Sequence, residues 1–249
     1  MKLRISSNYE EMSRAAASFI TEYVRENPAA LLCFPSGDTP TGIFKSLLDD
    51  AHEGKVDFRD CIFVGLDEWV GLDAGNDGSC RQYMDQHLFL PLAIEAHKIH
   101  FFNGAADDLH AECKRIDEFI KQRGPIDLMM VGLGLNGHVG LNEPGVDLSL
   151  YAHVSDLDPK TKHTAKKYFK KETALTGGIT LGPRHLLESK VAVIIASGAK
   201  KAEVLAKALE EEVTNALPAS IIQRHPGAYI FVDRDAAAFL SVNDQDYEG

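Results

Sequence analysis

The chain is expected to be an α/β protein: a single domain over residues 1–249, built on a mostly parallel open sheet with helices on both faces, Rossmann-like. Three observations predict this. Short apolar runs alternate with amphipathic stretches almost throughout, the βαβα order that builds a parallel sheet covered on both sides. A length of 249 residues suits one large domain or two small ones. No repeat, low-complexity stretch or linker divides the chain, which favours one.

Taken in order, Leu3–Ser6 reads as a strand, followed by a helix from Ser7 to about Asn27, where Ser7-Asn8-Tyr9-Glu10 fits a capping box. Strand Ala29–Phe34 precedes a helix over Thr41–Ala51, and strand Cys61–Leu66 precedes one over Cys80–Phe89. Strand Ile99–Phe102, helix Asp107–Arg123 and strand Asp127–Val131 continue the alternation. Strand Val191–Ala196, helices Lys200–Glu212 and Pro218–Arg224, and strand Ala228–Val232 complete it. Residues 145–176 break the pattern, being polar, Lys-rich and weakly periodic; they fit a lid over a site or a plain surface excursion.

Apolar residues make up 45% and charged residues 25%, the balance of a soluble protein. A net charge of −11 argues against nucleic-acid partners and anionic membranes, so an anionic substrate would need a local positive site. Cys33, Cys61, Cys80 and Cys113 show no CxxC spacing and suggest neither zinc nor a redox pair; Cys33 and Cys61 read as small core residues. No signal peptide and no apolar run of ~18 residues is evident, so a cytoplasmic location is expected.

Ligands of open α/β sheets bind beyond the carboxyl ends of the strands, and here four strands end in chemically loaded loops. The richest is Gly132 to Pro144, which carries four glycines, Asn136, His138, Asn142 and Glu143. Its Gly132-x-Gly134-x-x-Gly137 matches a dinucleotide fingerprint, but Gly140 and Pro144 interrupt the helix that fingerprint should open. His138 with Glu143 reads better as an imidazole and its orienting carboxylate. Pro35-Ser36-Gly37-Asp38-Thr39-Pro40 offers hydroxyls and a helix N-terminus to a phosphate, or is a capped turn. Asp67-Glu68 sets two carboxylates side by side, a base with a partner that tunes its field, or an acidic solvated turn. Lys200 and Lys201 oppose the dipole of the helix they start, which suits a bound anion. The cluster Lys160, Lys162, Lys166, Lys167, Lys170 and Lys171 reads mainly as a solvated face.

From Leu3 to Val232 the sequence resembles the glucosamine-6-phosphate deaminase (isomerase) family. The carriers are Ser36-Gly37-Asp38-Thr39-Pro40, Leu66-Asp67-Glu68-Trp69-Val70-Gly71-Leu72, Asn136-Gly137-His138 with Asn142-Glu143-Pro144, and Gly177-Gly178-Ile179-Thr180-Leu181-Gly182. Asp67-Glu68-Trp69, Gly132 to His138 and His153 to Asp158 look closest to its galactosamine-6-phosphate isomerase branch. The related 6-phosphogluconolactonases are a lesser alternative, since their Asp-Glu-Arg and Ser-Leu-Phe-Pro sequences are absent. A non-catalytic sugar-phosphate sensor is another, although the chain shows no helix-turn-helix segment.

The resemblance implies deamination coupled to aldose–ketose isomerisation, with no metal or cofactor. His138, aided by Asn136 and Glu143, would open the pyranose. Asp67, supported by Glu68, would move the C2 proton to C1, giving a ketimine that water hydrolyses to a ketohexose 6-phosphate (fructose or tagatose) and ammonia. Ser36, Gly37, Asp38 and Thr39 with Lys201 and Lys167 would hold the phosphate. Three departures stand out. Asn136 replaces the Asp of some members, so His138 would rest more on Glu143. Lys167 stands where others use Arg, losing the bidentate fork. The basic residues that bind an N-acetylated activator are replaced by Val146, His153, Ser155 and Asp156, so no such activation is expected. The sugar epimer, the choice between monomer and homo-oligomer, and the pathway stay open.

Overall fold

Backbone burial decides the architecture. The strand Leu31-Leu32-Cys33-Phe34 is buried at every position, as a strand covered on both faces requires. The computed structural model describes residues 1–169 and 173–241. In chain order its elements begin with β1 (Lys2–Ser6), α1 (Tyr9–Glu26), β2 (Leu31–Phe34), α2 (Asp38–His52), β3 (Ile62–Gly65), β4 (Asp67–Trp69) and α3 (Cys80–Met84). There follow β5 (Ile99–His100), α4 (Leu109–Arg123), β6 (Leu128–Gly132), β7 (His153–Ser155) and α5 (Pro159–Ala165). The last are β8 (Gly178–Thr180), α6 (Pro183–Glu188), β9 (Val191–Ala196), α7 (Ala202–Glu210) and β10 (Ala228–Asp233).

Seven strands form one sheet in the order β1-β10-β9-β6-β2-β3-β5. Every pairing in it is parallel. All seven expected strands are its members. Period-2 alternation sends Leu32, Phe34, Met130 and Ile195 to a core closed by α1 and α2. It sends Cys33, Met129, Val131 and Ile194 to a second core closed by α4 and α7. In α1, Met12, Ala16, Ile20 and Val24 recur at helical spacing and are buried, each large one stabilising by about 1.5–3 kcal/mol. The order reverses between β2 and β6: the chain runs outward from β2 through β3 to β5, and the other way from β6 through β9 and β10. The loops after β2 and β6 therefore face each other across a topological switch point.

Several local expectations are corrected. The capping box sits one residue later: Asn8 accepts from the Glu11 amide at 2.9 Å, while the Glu11 carboxylate takes the Ser7 amide. α2 starts at Asp38 rather than Thr41. The helix expected over Cys80–Phe89 passes into a π-helical turn at Asp85–Phe89, which keeps Met84, Leu88 and Phe89 together in the core. Lys200 and Lys201 lie in a 3-10 turn that precedes α7, and Pro218–Arg224 is 3-10 helix. A three-stranded antiparallel sheet, β4-β8-β7, is wholly additional. Its strands are three residues each, too short to show a period in the sequence. Among the described residues no helix is long and apolar enough to cross a membrane.

Candidate active site

The chain leaves the main sheet at Leu66, whose carbonyl accepts from Leu181 N at 2.8 Å, and Asp67 opens β4 opposite Thr180. Successive strand residues point to opposite sides, so the adjacent carboxylates separate. Glu68 is fully buried, and both of its oxygens are engaged. Oε1 accepts from the amides of Trp69 (2.9 Å) and Cys80 (3.0 Å). Oε2 accepts from Ser79 Oγ (2.6 Å) and the Arg81 amide (3.0 Å). These are the start of α3 and its cap, so Glu68 anchors that helix beneath the strand. The alternative of an acidic solvated turn is thereby removed: both carboxylates are buried, packing selects Glu68, and its charge still reaches its neighbour. Burial first, and Glu68 to a lesser extent, raise the Asp67 carboxyl to about 7, while a hydrogen bond from Cys80 works in the other direction.

After β6 the chain makes a closed turn, with Gly134 N on His138 O (2.9 Å) and Gly137 N on Gly134 O (3.1 Å). No helix follows, which removes the dinucleotide reading. A Cβ at Gly134 would lie 2.4 Å from the His138 ring, so glycine is needed for the imidazole to fold back over the turn. Asn136 Nδ2 donates to Glu143 Oε2 at 2.8 Å. That orients the amide so that Asn136 Oδ1 faces His138 Nδ1 at 2.7 Å and accepts from the His138 amide at 3.2 Å. Nδ1 therefore carries the proton and Nε2 is the basic nitrogen. Glu143 Oε2 lies 3.6 Å from Nδ1, so the expected reliance of His138 on Glu143 is corrected: Asn136 makes the direct contact and Glu143 holds Asn136. Burial lowers the His138 pKa, opposed by the Glu143 charge. Among the described residues, Glu143 Oε1 is buried without a partner.

Two further contacts join the halves. Thr180 Oγ1, across from Asp67, lies 3.2 Å from the Leu141 amide of the His138 loop. Thr161 of α5 puts its hydroxyl 3.2 Å from His138 Nδ1. Residues 145–176, as far as described, reach across to both loops: Lys167 pairs with Asp38, and the Phe169 ring lies tilted at 58° to Trp69 with centroids 6.4 Å apart. Lys170 and Lys171 lie outside the described residues; Lys160 and Lys166 are exposed.

The phosphate candidates sort themselves by direction. Gly37 (φ +119°) starts α2 with no side-chain cap, leaving the amides of that helix end for an anion. Ser36 and Thr39 are half-buried beside it, whereas the Asp38 carboxylate turns outward to Lys167 and offers an anion its amide alone. Lys200 is exposed. Lys201 turns inward, its ammonium donating to Leu133 O; burial first, then Lys167, lower its pKa to about 8. Asp233 secures this turn by accepting from Gly198 N at 3.0 Å. A cavity of about 230 Å³ opens between Ser36, Gly37, Trp69, Cys80, Tyr83 and Tyr168. A larger groove of about 470 Å³ between α1 and α2 bears mixed surface charges, Arg14, Arg25, Asp49 and Lys55 among them, far from these loops. No group of three His, Cys, Asp or Glu side chains among the described residues is placed to hold a metal.

Residues 6–231 match the family described as glucosamine-6-phosphate isomerases/6-phosphogluconolactonase. The chain belongs to this family. A relative in it, the glucosamine-6-phosphate deaminase of Geobacillus sp. (strain WCH70), is 38% identical over 241 residues, 96% of each chain. That of Clostridium perfringens (strain 13 / Type A) is 37% identical over 96% of this chain and all of its own. Among solved structures, a monomeric glucosamine-6-phosphate deaminase of the NagB superfamily superposes with a TM-score of 0.92 at 32% identity, covering 96% of this chain and 100% of that one. The 6-phosphogluconolactonase of Trypanosoma brucei shares the fold, with a TM-score of 0.76 at 18% identity. As a member of the glucosamine-6-phosphate isomerase/6-phosphogluconolactonase family the chain is an isomerase/deaminase-type enzyme by its relatives at 34–38% identity. No observation singles out a galactosamine branch.

The sequence did not point to Thr161, Thr180, Cys80 or Asp233 as parts of this site. Each is an ordinary core or helix-start residue until the fold brings it to the crevice. Thr180 carried the best available signal, lying in Gly177-Gly178-Ile179-Thr180-Leu181-Gly182.

Proposed function

We propose that the protein deaminates and isomerises an amino-sugar 6-phosphate, glucosamine 6-phosphate being the substrate its relatives favour. One observation carries the reading: a buried carboxyl at about 7 and a neutral, oriented imidazole flank a crevice floored by a helix N-terminus and Lys201. Burial in each case favours the neutral form: Asp67 at about 7 can exchange a proton near neutral pH, and the neutral His138 ring keeps a basic Nε2 to accept one.

In the proposed sequence, the phosphate lies on the amides of Gly37, Asp38 and Thr39, the hydroxyls of Ser36 and Thr39, and Lys201, with Lys167 turning from Asp38 to join them. His138 Nε2 takes the C1 hydroxyl proton and passes it to the ring oxygen, opening the pyranose. Asp67, ionised, removes the C2 proton; the electron pair forms the C1–C2 double bond while the C1 carbonyl π pair moves to O1, which takes up a solvent proton to give an enolamine. Asp67 then returns its proton to C1 as the nitrogen lone pair closes the C2=N bond. The C2 ketimine then adds water and loses ammonia, so amino sugar phosphate plus water gives ketose phosphate plus ammonia. Glu68 anchors the strand and raises the Asp67 pKa. The net hydrolysis is that of a C–N bond, and the Asp67 and His138 roles do not need a lactone substrate.

The test is ammonia release from glucosamine 6-phosphate and galactosamine 6-phosphate in parallel, with 6-phosphogluconolactone hydrolysis as the control. Turnover of the gluco substrate is expected to exceed that of the galacto substrate. The reverse order would transfer the assignment to tagatose 6-phosphate production, and lactone hydrolysis alone would overturn it.

A further inference from the structure

The first turn of α2 is held in an unusual way. Its N-cap, Gly37, has no side chain to take up an amide of the turn, as Ser, Thr, Asp or Asn would there, and Pro40 has no N–H. The turn is fastened instead by its carbonyls, from two other helices. Tyr83 of α3 donates its hydroxyl to Gly37 O at 2.6 Å, and Thr41 Oγ1 lies 2.8 Å from the same phenol oxygen. The Tyr9 hydroxyl, at the first residue of α1, lies 3.1 Å from both Asp38 O and Thr39 O and accepts from the Gly42 amide at 2.8 Å. Gly42 makes that approach possible, since a Cβ there would lie 2.9 Å from the Tyr9 oxygen and 2.6 Å from Ser13 Oγ. Both rings are half-buried against the core closed by α1 and α2, and Tyr83 also lines the crevice cavity.

We propose that Tyr83 and Tyr9 are positioning residues that hold the Asp38 and Thr39 amides toward the substrate phosphate. The inference rests on the deaminase reading, which places the phosphate at this helix end. In a trans peptide the C=O and the following N–H point in opposite directions, and among the described residues no peptide is cis. A hydroxyl on Gly37 O therefore sets the direction of the Asp38 N–H, and one on Asp38 O sets that of the Thr39 N–H. The need is greatest at Gly37, whose φ of +119° is a conformation that glycine enters and leaves freely. Fastening by carbonyls also leaves the N–H groups unused, whereas a capping side chain would compete with the anion for them. α3 ties this turn to the strand of the base: Glu68 binds Ser79, Cys80 and Arg81 at its start, and Tyr83 holds Gly37 near its end. Burial keeps the Tyr83 phenol above its ordinary pKa, so the hydroxyl retains the proton it donates.

The experiment compares Tyr83→Phe, Tyr9→Phe and the double variant with the parent. It reads the calorimetric Kd for inorganic phosphate, kcat and KM for glucosamine 6-phosphate, and the melting temperature. Each Phe keeps the ring and removes only the hydroxyl. Each single variant should raise the phosphate Kd and the KM about 3–10-fold, the scale of one hydrogen bond, and the double variant should raise them further. The kcat should change little, since the phosphate is held alike in the ground and transition states. A merely structural role would lower the melting temperature and leave the Kd of the folded protein unmoved. Folded variants whose phosphate Kd and KM match the parent overturn the inference, and if the double variant does not fold, the single variants decide. Phosphate binding needs no turnover. A parent that binds phosphate without releasing ammonia would therefore remove the deaminase reading, and the Kd comparison would then support or overturn the tyrosine roles by itself.

Discussion

Asp67 and His138 are both withdrawn from water, yet the two halves of the crevice hold them by opposite means. On the Asp67 side the support is a packed anchor: Glu68 takes four hydrogen bonds from Trp69 and the start of α3, and a short strand pairing fixes the backbone. On the His138 side the support is a relay in a glycine turn, running from Glu143 through Asn136 to the ring. The first arrangement is all satisfied and rigid. The second leaves one buried acceptor, Glu143 Oε1, without a partner among the described residues. Burial acts on both groups with opposite sign, raising the acid and lowering the imidazole, and so favours the neutral form of each.

The comparison breaks most sharply at Asp67. Asp67→Asn should lower kcat by about 10³–10⁴-fold with KM little changed, since general-base contributions run to that size. It should also stabilise the fold. Asp67 has a folded pKa raised from 3.8 to about 7, so the native state keeps a proton the unfolded chain releases. Stability therefore falls as pH rises between those values, and the full cost applies above 7. Urea unfolding at pH 8 should find Asp67→Asn more stable on the order of a few kcal/mol, with the gap closing toward pH 4.

The anchor is tested next. Glu68→Ala leaves the start of α3 without its buried acceptor and should cost about 3–5 kcal/mol, a drop of about 10 °C in melting temperature. A smaller loss than in an exposed Glu control would show that the clamp is not stabilising. On the relay side, Asn136→Ala should lower kcat about 10–100-fold with melting nearly unchanged. The ratio of stability loss to rate loss thus separates the two halves.

Smaller effects mark the phosphate end. Lys201→Met should raise KM more than Lys167→Met, because Lys201 is turned inward and Lys167 is half-exposed. With Lys201 at about 8, KM should climb as pH passes that value, and Lys167→Met, by removing a repelling charge, should move the climb to higher pH. The smallest expected effect is none: N-acetylglucosamine 6-phosphate should leave the rate unchanged, since Val146, Ser155 and Asp156 carry no positive charge and burial lowers the pKa of His153. Activation in a rate assay would refute this.

What could be read in the sequence follows from what each signal depends on. The seven strands of the main sheet and the helices covering it were legible because burial on both faces leaves continuous apolar runs and helical spacing in the chain itself. The loops with Ser36, Asp67, His138 and Lys201 were legible because they gather polar groups and glycines beyond the carboxyl ends of apolar strands. The minor sheet was not, since three-residue strands carry no period, and neither was the shift of Asp67 out of the main sheet. Glu68 shows the limit well. Its neighbour and its charge are written in the sequence, but its partners, eleven to thirteen positions away, are chosen by folding.

By itself, then, the sequence determined which residues can move protons or hold an anion, because chemistry belongs to side-chain type. Tertiary structure alone decided which of them act together. It turned Lys201 inward and Lys200 outward, set Asn136 between Glu143 and His138, and closed Ser79, Cys80 and Arg81 around Glu68. Hydrogen bonds and desolvation depend on distance in space, and no linear spacing encodes the distance between loops that meet only across a sheet.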